Sequence, residues 1–105
     1  MTRGEIYRVR LPAHRGREQA GPRYGVIVQA DELLGLSTAI IAPTSRSAAP
    51  ATFRPQIEIA GHRTRVMVEQ LRVVDIERLE EFAGRMSAPE QHVLDEALRR
   101  VLDLS

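Results

Sequence analysis

A chain of 105 residues has room for one domain, and its core is modest enough that pairing with a second copy would help to bury apolar surface. Hydrophobic residues at 43 % and charged residues at 28 % fit an ordinary globular protein, and the lack of cysteine excludes disulfides and thiolate metal sites. The formal charge of +1 conceals an asymmetry: residues 1–66 hold 10 arginines against 5 acids, residues 67–105 hold 5 against 9, and lysine is absent. Arginine pairs bidentately with phosphate and stacks on bases, which suits nucleic acid, although a codon bias toward arginine explains the missing lysine as well. No apolar run nears the roughly 20 residues that span a bilayer, and no signal-peptide core opens the chain. A cytoplasmic protein with no membrane partner is expected.

In chain order, Glu5 to Leu11 alternates, with Tyr7, Val9 and Leu11 on one side and Ile6, Arg8 and Arg10 on the other, so it reads as a strand with one well-buried face. Pro12 to Pro22 is polar and punctuated by Gly and Pro: a loop long enough to suggest function. Arg23 to Gln29 reads as a second, more buried strand, and Asp31 to Leu34 as one helical turn. Thr38 to Ala42 is a third strand, which Pro43 should end, followed by a loop from Thr44 to Thr52. Phe53 to Ile59 and Thr64 to Gln70 form a hairpin about Ala60-Gly61-His62, with Pro55 placing the first of the pair at an edge. A short strand, Arg72 to Val74, leads to Asp75 as N-cap of a helix over Ile76 to Glu81. Ser87 and Glu90 have the capping-box spacing, and the helix after them carries Val93, Leu94, Ala97, Leu98 and Val101 as one apolar stripe. Short strands, hairpins and one late amphipathic helix imply a mainly β protein with α: a small, partly closed antiparallel barrel.

The segment from Gly16 to Tyr24 concentrates chemistry. It sets the carboxylate of Glu18, the amide of Gln19 and the guanidinium of Arg23 in a turn-rich stretch that runs into the apolar Gly25-Val26-Ile27-Val28. Sites that act on phosphate esters need a proton acceptor and a fixed cation for the developing charge. Glu18 can supply the first and Arg23 the second, with Thr44 and Ser45 as hydroxyl donors at the end of the third strand. Plainer readings stand beside these: Glu18 as a solvated loop acid, Arg23 in a salt bridge, and Thr44-Ser45 as turn residues. Arg46 and Arg54 are phosphate contacts or part of a solvated face, and Glu69-Gln70 supports the site or caps the sheet. His14, His62 and His92 fall in separate elements, no zinc spacing occurs and no Gly-rich phosphate cradle follows a strand, so no metal or organic cofactor is expected.

Five short motifs in order resemble the MazF/PemK family of toxins from toxin–antitoxin pairs. They are Arg3-Gly4-Glu5-Ile6-Tyr7, Glu18-Gln19-Ala20-Gly21 with Arg23, Ala39 to Ser45, Val68 to Asp75, and Leu94 to Leu98. The resemblance implies an SH3-like barrel working as a homodimer, with a metal-independent endoribonuclease site in a groove between subunits. It implies Arg23 and Thr44 as the catalytic pair and Glu18 as an accessory acid or base, with attack by the 2′-hydroxyl giving a 2′,3′-cyclic phosphate and a 5′-hydroxyl. Arg17, Gln19, Tyr24, Ser45 and Arg46 would contact single-stranded RNA, and a cognate antitoxin would cover the groove with an acidic segment that folds on binding. Two positions depart from the family pattern. Tyr24 stands where proline is usual and adds a ring that can stack on a base, and the third strand is one residue shorter before Thr44 than in many relatives. The catalytic hydroxyl is therefore Thr44 or Ser45. A guanidinium holds its proton at neutral pH, so Arg23 is assigned to charge stabilisation, with Glu18 or water moving protons. CcdB has the same barrel and poisons DNA gyrase by binding it, so a non-catalytic toxin and a nucleic-acid-binding regulator are the competing functions.

Overall fold

The computed structural model describes residues 1–12 and 21–105. Its strands are β1 (Glu5–Leu11), β2 (Gly21–Ile27), β3 (Thr38–Ser45), β4 (Gln56–Ile59), β5 (His62–Val66), β6 (Arg72–Asp75) and β7 (Leu79–Arg85), followed by helix α1 (Ala88–Leu102). All pairings are antiparallel, in the order β4-β5-β3-β2-β1-β7, with β6 also on β3. The sheet curls into a half-barrel with α1 packed against it: mainly β with α, as the sequence implies.

Alternation in the three central strands explains the curl. Ile6, Val26 and Ala42 face α1 and share a cluster with Leu94 and Ala97, while Val9, Ile27 and Ile41 face the opposite way into a second cluster with Ala39 and Val74. Burial on both faces, which isolated hairpins lack, makes β1–β3 the rigid centre. β1 buries Val9 and Leu11, with Tyr7 half-buried beside them, and Ile6 on the other face is buried as well, so the strand is covered on both sides where one buried face was expected. Each fully enclosed side chain of the size of Leu94 or Ile27 contributes about 2–3 kcal/mol.

Local signals account for the turns. Asp31–Leu33 forms one 3-10 turn. Ala60 and Gly61 have φ of 52° and 81°, the left-handed geometry a two-residue hairpin needs, and they pair Ile59 with His62. β4 is an edge strand, consistent with Pro55 just before it. In α1 the Ser87 hydroxyl accepts from the Glu90 N–H at 3.2 Å, and the Glu90 carboxylate accepts from the Ser87 N–H at 2.8 Å.

Several elements differ from expectation. Residues 79–85, whose first part was expected to continue a helix from Ile76, form β7 on β1 instead; the helix reduces to a 3-10 turn, Ile76–Arg78, capped by the Asp75 carboxylate. Pairing along an open strand outweighs the helix preference of Leu79-Glu80-Glu81. The return strand of the hairpin stops at Val66, and Val68–Gln70 turns as 3-10. Val93 is 47 % exposed, off the buried stripe of α1. Pro43 does not end β3, which runs on to Ser45. The Val28 N–H bonds to the Ile40 carbonyl, which fixes the alternation and leaves Pro43 opposite Gly25 at a non-hydrogen-bonded position of the β2–β3 ladder. The ring therefore interrupts nothing on that side, and the Pro43 carbonyl accepts from the Met67 N–H on the other.

Candidate active site

β3 changes partners along its length. Thr38 to Ile41 pair with β6, Ile41 to Pro43 with β2, and Thr44 and Ser45 with Val66 and Arg65 of β5. The β2–β3 ladder stops at Gly25 opposite Pro43, and beyond it the two strands part. Gly25 lets them approach until that point, since a Cβ there would lie 2.8 Å from Ile41 Cδ1 and 3.1 Å from Val9 Cγ1. The next would-be pair is held differently: the Thr44 hydroxyl donates to the Tyr24 carbonyl at 2.9 Å.

This parting leaves a hollow of about 260 Å3, lined by Arg8, Arg23, Tyr24, Thr44, Ser45, Arg46, Ser47 and Thr64. It opens along the strand edges, which is how neighbours that leave a strand on opposite faces both border it. Arg23 and Tyr24 come from β2, half-buried; Thr44 and Ser45 come from β3, both buried; Arg46 follows at the exposed rim. The Ser45 hydroxyl accepts from the Ser47 N–H at 3.3 Å, and an Arg46 Nη lies 3.1 Å from His62 Nδ1. Three guanidinium groups and four aliphatic hydroxyls thus line one cavity with no carboxylate among its described lining residues. Hydroxyl donors and guanidinium groups clustered in this way favour a phosphate group. Two larger hollows, about 400 and 600 Å3, flank α1; both include acids, Asp95 in one and Glu96 and Asp103 in the other. Size therefore does not single out the smaller cavity; its composition does.

The structure brings together Arg23, Tyr24, Thr44, Ser45 and Arg46. Arg17, Glu18 and Gln19, with His14, lie outside the described residues. Arg54 does not line the hollow: its Nε donates to Glu69 at 2.7 Å, an Nη donates to the Ala49 carbonyl, and its guanidinium lies 5.4 Å from the Phe53 ring. Arg54 and Glu69 anchor the chain that follows Arg46, so Arg54 is not part of a freely solvated face. Arg8 and Thr64 are lining residues that the sequence did not single out. The signal for Arg8 was present: it is a charge on the same side of β1 as the buried Ile6. Among the described residues no group of three His, Cys, Asp or Glu side chains comes together in a way that could hold a metal ion, and no helix is long and apolar enough to cross a membrane.

Thr44 offers a direct measurement. Its only hydroxyl proton is spent on the Tyr24 carbonyl, so Thr44→Val leaves that acceptor without its partner at a site where the threonine is 3 % exposed. Denaturant titration is expected to show a loss of about 1–2 kcal/mol for Thr44→Val and under about 0.5 kcal/mol for Thr44→Ser. Equal stability of the two variants would mean that the hydroxyl does not hold the mouth of the cavity.

Comparison with known proteins places this geometry in context. A candidate toxin of Mycobacterium tuberculosis is 44 % identical over 77 residues, 72 % of each chain, and the Endoribonuclease MazF9 of the same organism is 34 % identical over 99 % of this chain and 98 % of its own. A solved endoribonuclease from a Mycobacterial species, in complex with its cognate antitoxin, superposes with a TM-score of 0.83 at 14 % identity, covering 100 % of this chain and 97 % of that one. The profile of the PemK-like, MazF-like toxins of type II toxin–antitoxin systems matches residues 2–102. Together with the half-barrel and the arginine-lined hollow between parted strands, these matches show that the chain belongs to the PemK/MazF-like toxin family.

Proposed function

We propose that this toxin is a sequence-selective endoribonuclease that cuts single-stranded RNA without a metal ion. The observation that carries the reading is the hollow where Arg8, Arg23 and Arg46 meet the hydroxyls of Thr44, Ser45, Ser47 and Thr64 with no carboxylate in its described lining. RNA brings its own nucleophile, the 2′-hydroxyl, so the protein must take that proton, stabilise the dianionic phosphorane and protonate the departing 5′-oxygen. Arg23 stabilises the charge from the rigid end of β2. Thr44 sets the mouth of the cavity and, by turning its proton from the Tyr24 carbonyl to a phosphate oxygen, joins Ser45 as a donor. Glu18, or a water it holds, carries the protons. Arg17, Gln19, Tyr24 and Arg46 grip the flanking nucleotides. The products are a 2′,3′-cyclic phosphate and a 5′-hydroxyl.

The same surface suits an antitoxin. An acidic segment that folds across three guanidinium groups would neutralise them and exclude RNA, and the antitoxin-bound Mycobacterial structure supports that type of partner. A homodimer acting in the cytoplasm completes the proposal.

Purified protein incubated with end-labelled single-stranded RNA and excess EDTA is expected to give discrete fragments with 5′-hydroxyl ends. Intact RNA in a stable complex would replace the ribonuclease with a nucleic-acid-binding regulator. Intact, unbound RNA together with gyrase inhibition would replace it with a CcdB-like binding toxin.

A further inference from the structure

Arg8 stands directly opposite Tyr24 across the β1–β2 ladder, and its Cζ lies 5.6 Å from the centroid of the Tyr24 ring. The position is unusual for a charge. Two residues earlier on the same side of β1, Ile6 is 3 % exposed in the cluster beneath α1, and the Tyr24 ring packs on that cluster. An apolar side chain at residue 8 would simply extend the core. A half-buried guanidinium there gives up hydration for a ring contact, and it does so at the wall of the candidate active site.

Tyr24 is fixed from three directions: its carbonyl by the Thr44 hydroxyl, its ring by the apolar cluster, and its π-system by Arg8. An aromatic ring set in advance, one residue from Arg23, is built to receive something flat. Guanidinium and phenol planes are the two protein surfaces on which unstacked bases settle. We propose that Arg8 and Tyr24 form a stacking platform that seats the nucleobase next to the phosphate held at Arg23, and that this pair sets the base preference at that one position. The proposal rests on the ribonuclease reading and adds to it a positioning residue, Arg8, and a specificity-determining one, Tyr24.

The test is cleavage of a random-sequence single-stranded oligoribonucleotide pool in EDTA, with the 5′-hydroxyl ends sequenced. Tyr24→Leu keeps apolar bulk against the core without a π-face, and Arg8→Met keeps the stem without the charge; thermal melting confirms that both fold. Wild type and Tyr24→Phe are expected to share a base preference at one position beside the cut. Tyr24→Leu and Arg8→Met lose it at that position alone, with KM on a defined substrate rising about tenfold, the size of one lost base–aromatic stack, and by more than kcat falls. Arg8→Lys recovers part of the preference, because an ammonium restores charge but not a plane. Preferences preserved at every position in Tyr24→Leu and Arg8→Met overturn the platform while leaving the ribonuclease intact. A wild-type protein that yields no 5′-hydroxyl ends overturns the ribonuclease reading itself, before any variant is compared.

Discussion

Arg23→Ala is expected to lower kcat for RNA cleavage by about 10²–10³-fold, with a smaller change in KM, because in the proposed mechanism it removes a donor aimed at charge that exists only in the transition state. The position argues for the size of the effect. Arg23 leaves β2 two residues before Gly25, where strands β1 to β3 are packed as closely as side chains permit, so the guanidinium is set by a rigid frame rather than by a loop. Arg23→Lys should recover only part of the rate, since a point charge cannot bridge two phosphate oxygens as a planar fork does. Arg46 makes an instructive contrast. It is exposed at the rim beside His62, so Arg46→Ala should act several-fold, mainly on KM, and should flatten the salt dependence of binding. Single-turnover kinetics on a chelated oligoribonucleotide separate these effects. Near-wild-type turnover in Arg23→Lys together with no effect of Glu18→Gln would remove both residues from the chemistry.

What the sequence disclosed follows the range of the forces involved. The bounds of β1, the left-handed turn at Ala60-Gly61 and the Ser87–Glu90 capping box depend on neighbours within a few residues, and each is legible from its own segment. β7 is not, because Leu79-Glu80-Glu81 carries a helical preference that yields only when β1, some 75 residues away in the chain, offers its open edge. Pro43 misled for a related reason. Proline ends a strand where the ladder needs an N–H at that position, and whether it does depends on which side of the ladder alternates outward, a fact set by β2.

The site divides in the same way. Arg23, Tyr24, Thr44, Ser45 and Arg46 are two short runs whose residue types announce them, and the parting of β2 from β3 supplies the meeting point. Arg8 shows in its own segment only as a charge on the side of Ile6, and its place beside Tyr24 comes from cross-strand register, which no single segment contains. Arg46 and Arg54 carry the same two readings in sequence, and the bonds of Arg54 to Glu69, brought in by the 3-10 turn after β5, and to the Ala49 carbonyl tell the two apart.

Far from this cavity, Glu5 carries the largest expected effect on stability. Its side chain is only 10 % exposed and joins three parts of the chain: one oxygen accepts from the Thr2 N–H at 2.6 Å and the Tyr7 hydroxyl at 2.9 Å, and the other meets Arg85, its register partner on β7, at 2.9 Å. Glu5→Ala leaves these donors without their charged acceptor and is expected to cost about 2–3 kcal/mol, or about 10–20 °C in Tm for a domain of this size. Burial pushes the Glu5 carboxyl up, but the bonds from Thr2 and Tyr7, the terminal ammonium and Arg85 more than reverse this and hold it below the ordinary glutamate range. Burial, helped by the same contact with Glu5, raises the Tyr7 phenol. Because the folded carboxyl binds its proton less readily than the unfolded one, the network's contribution is complete above about pH 4.3 and is lost as pH falls through the lowered folded value. Wild-type Tm should therefore drop between about pH 5 and pH 3, and Glu5→Gln, less stable at neutral pH, should show a shallower drop over that interval. Parallel acid profiles for the two proteins would show that the Glu5 charge does not link β1 to β7.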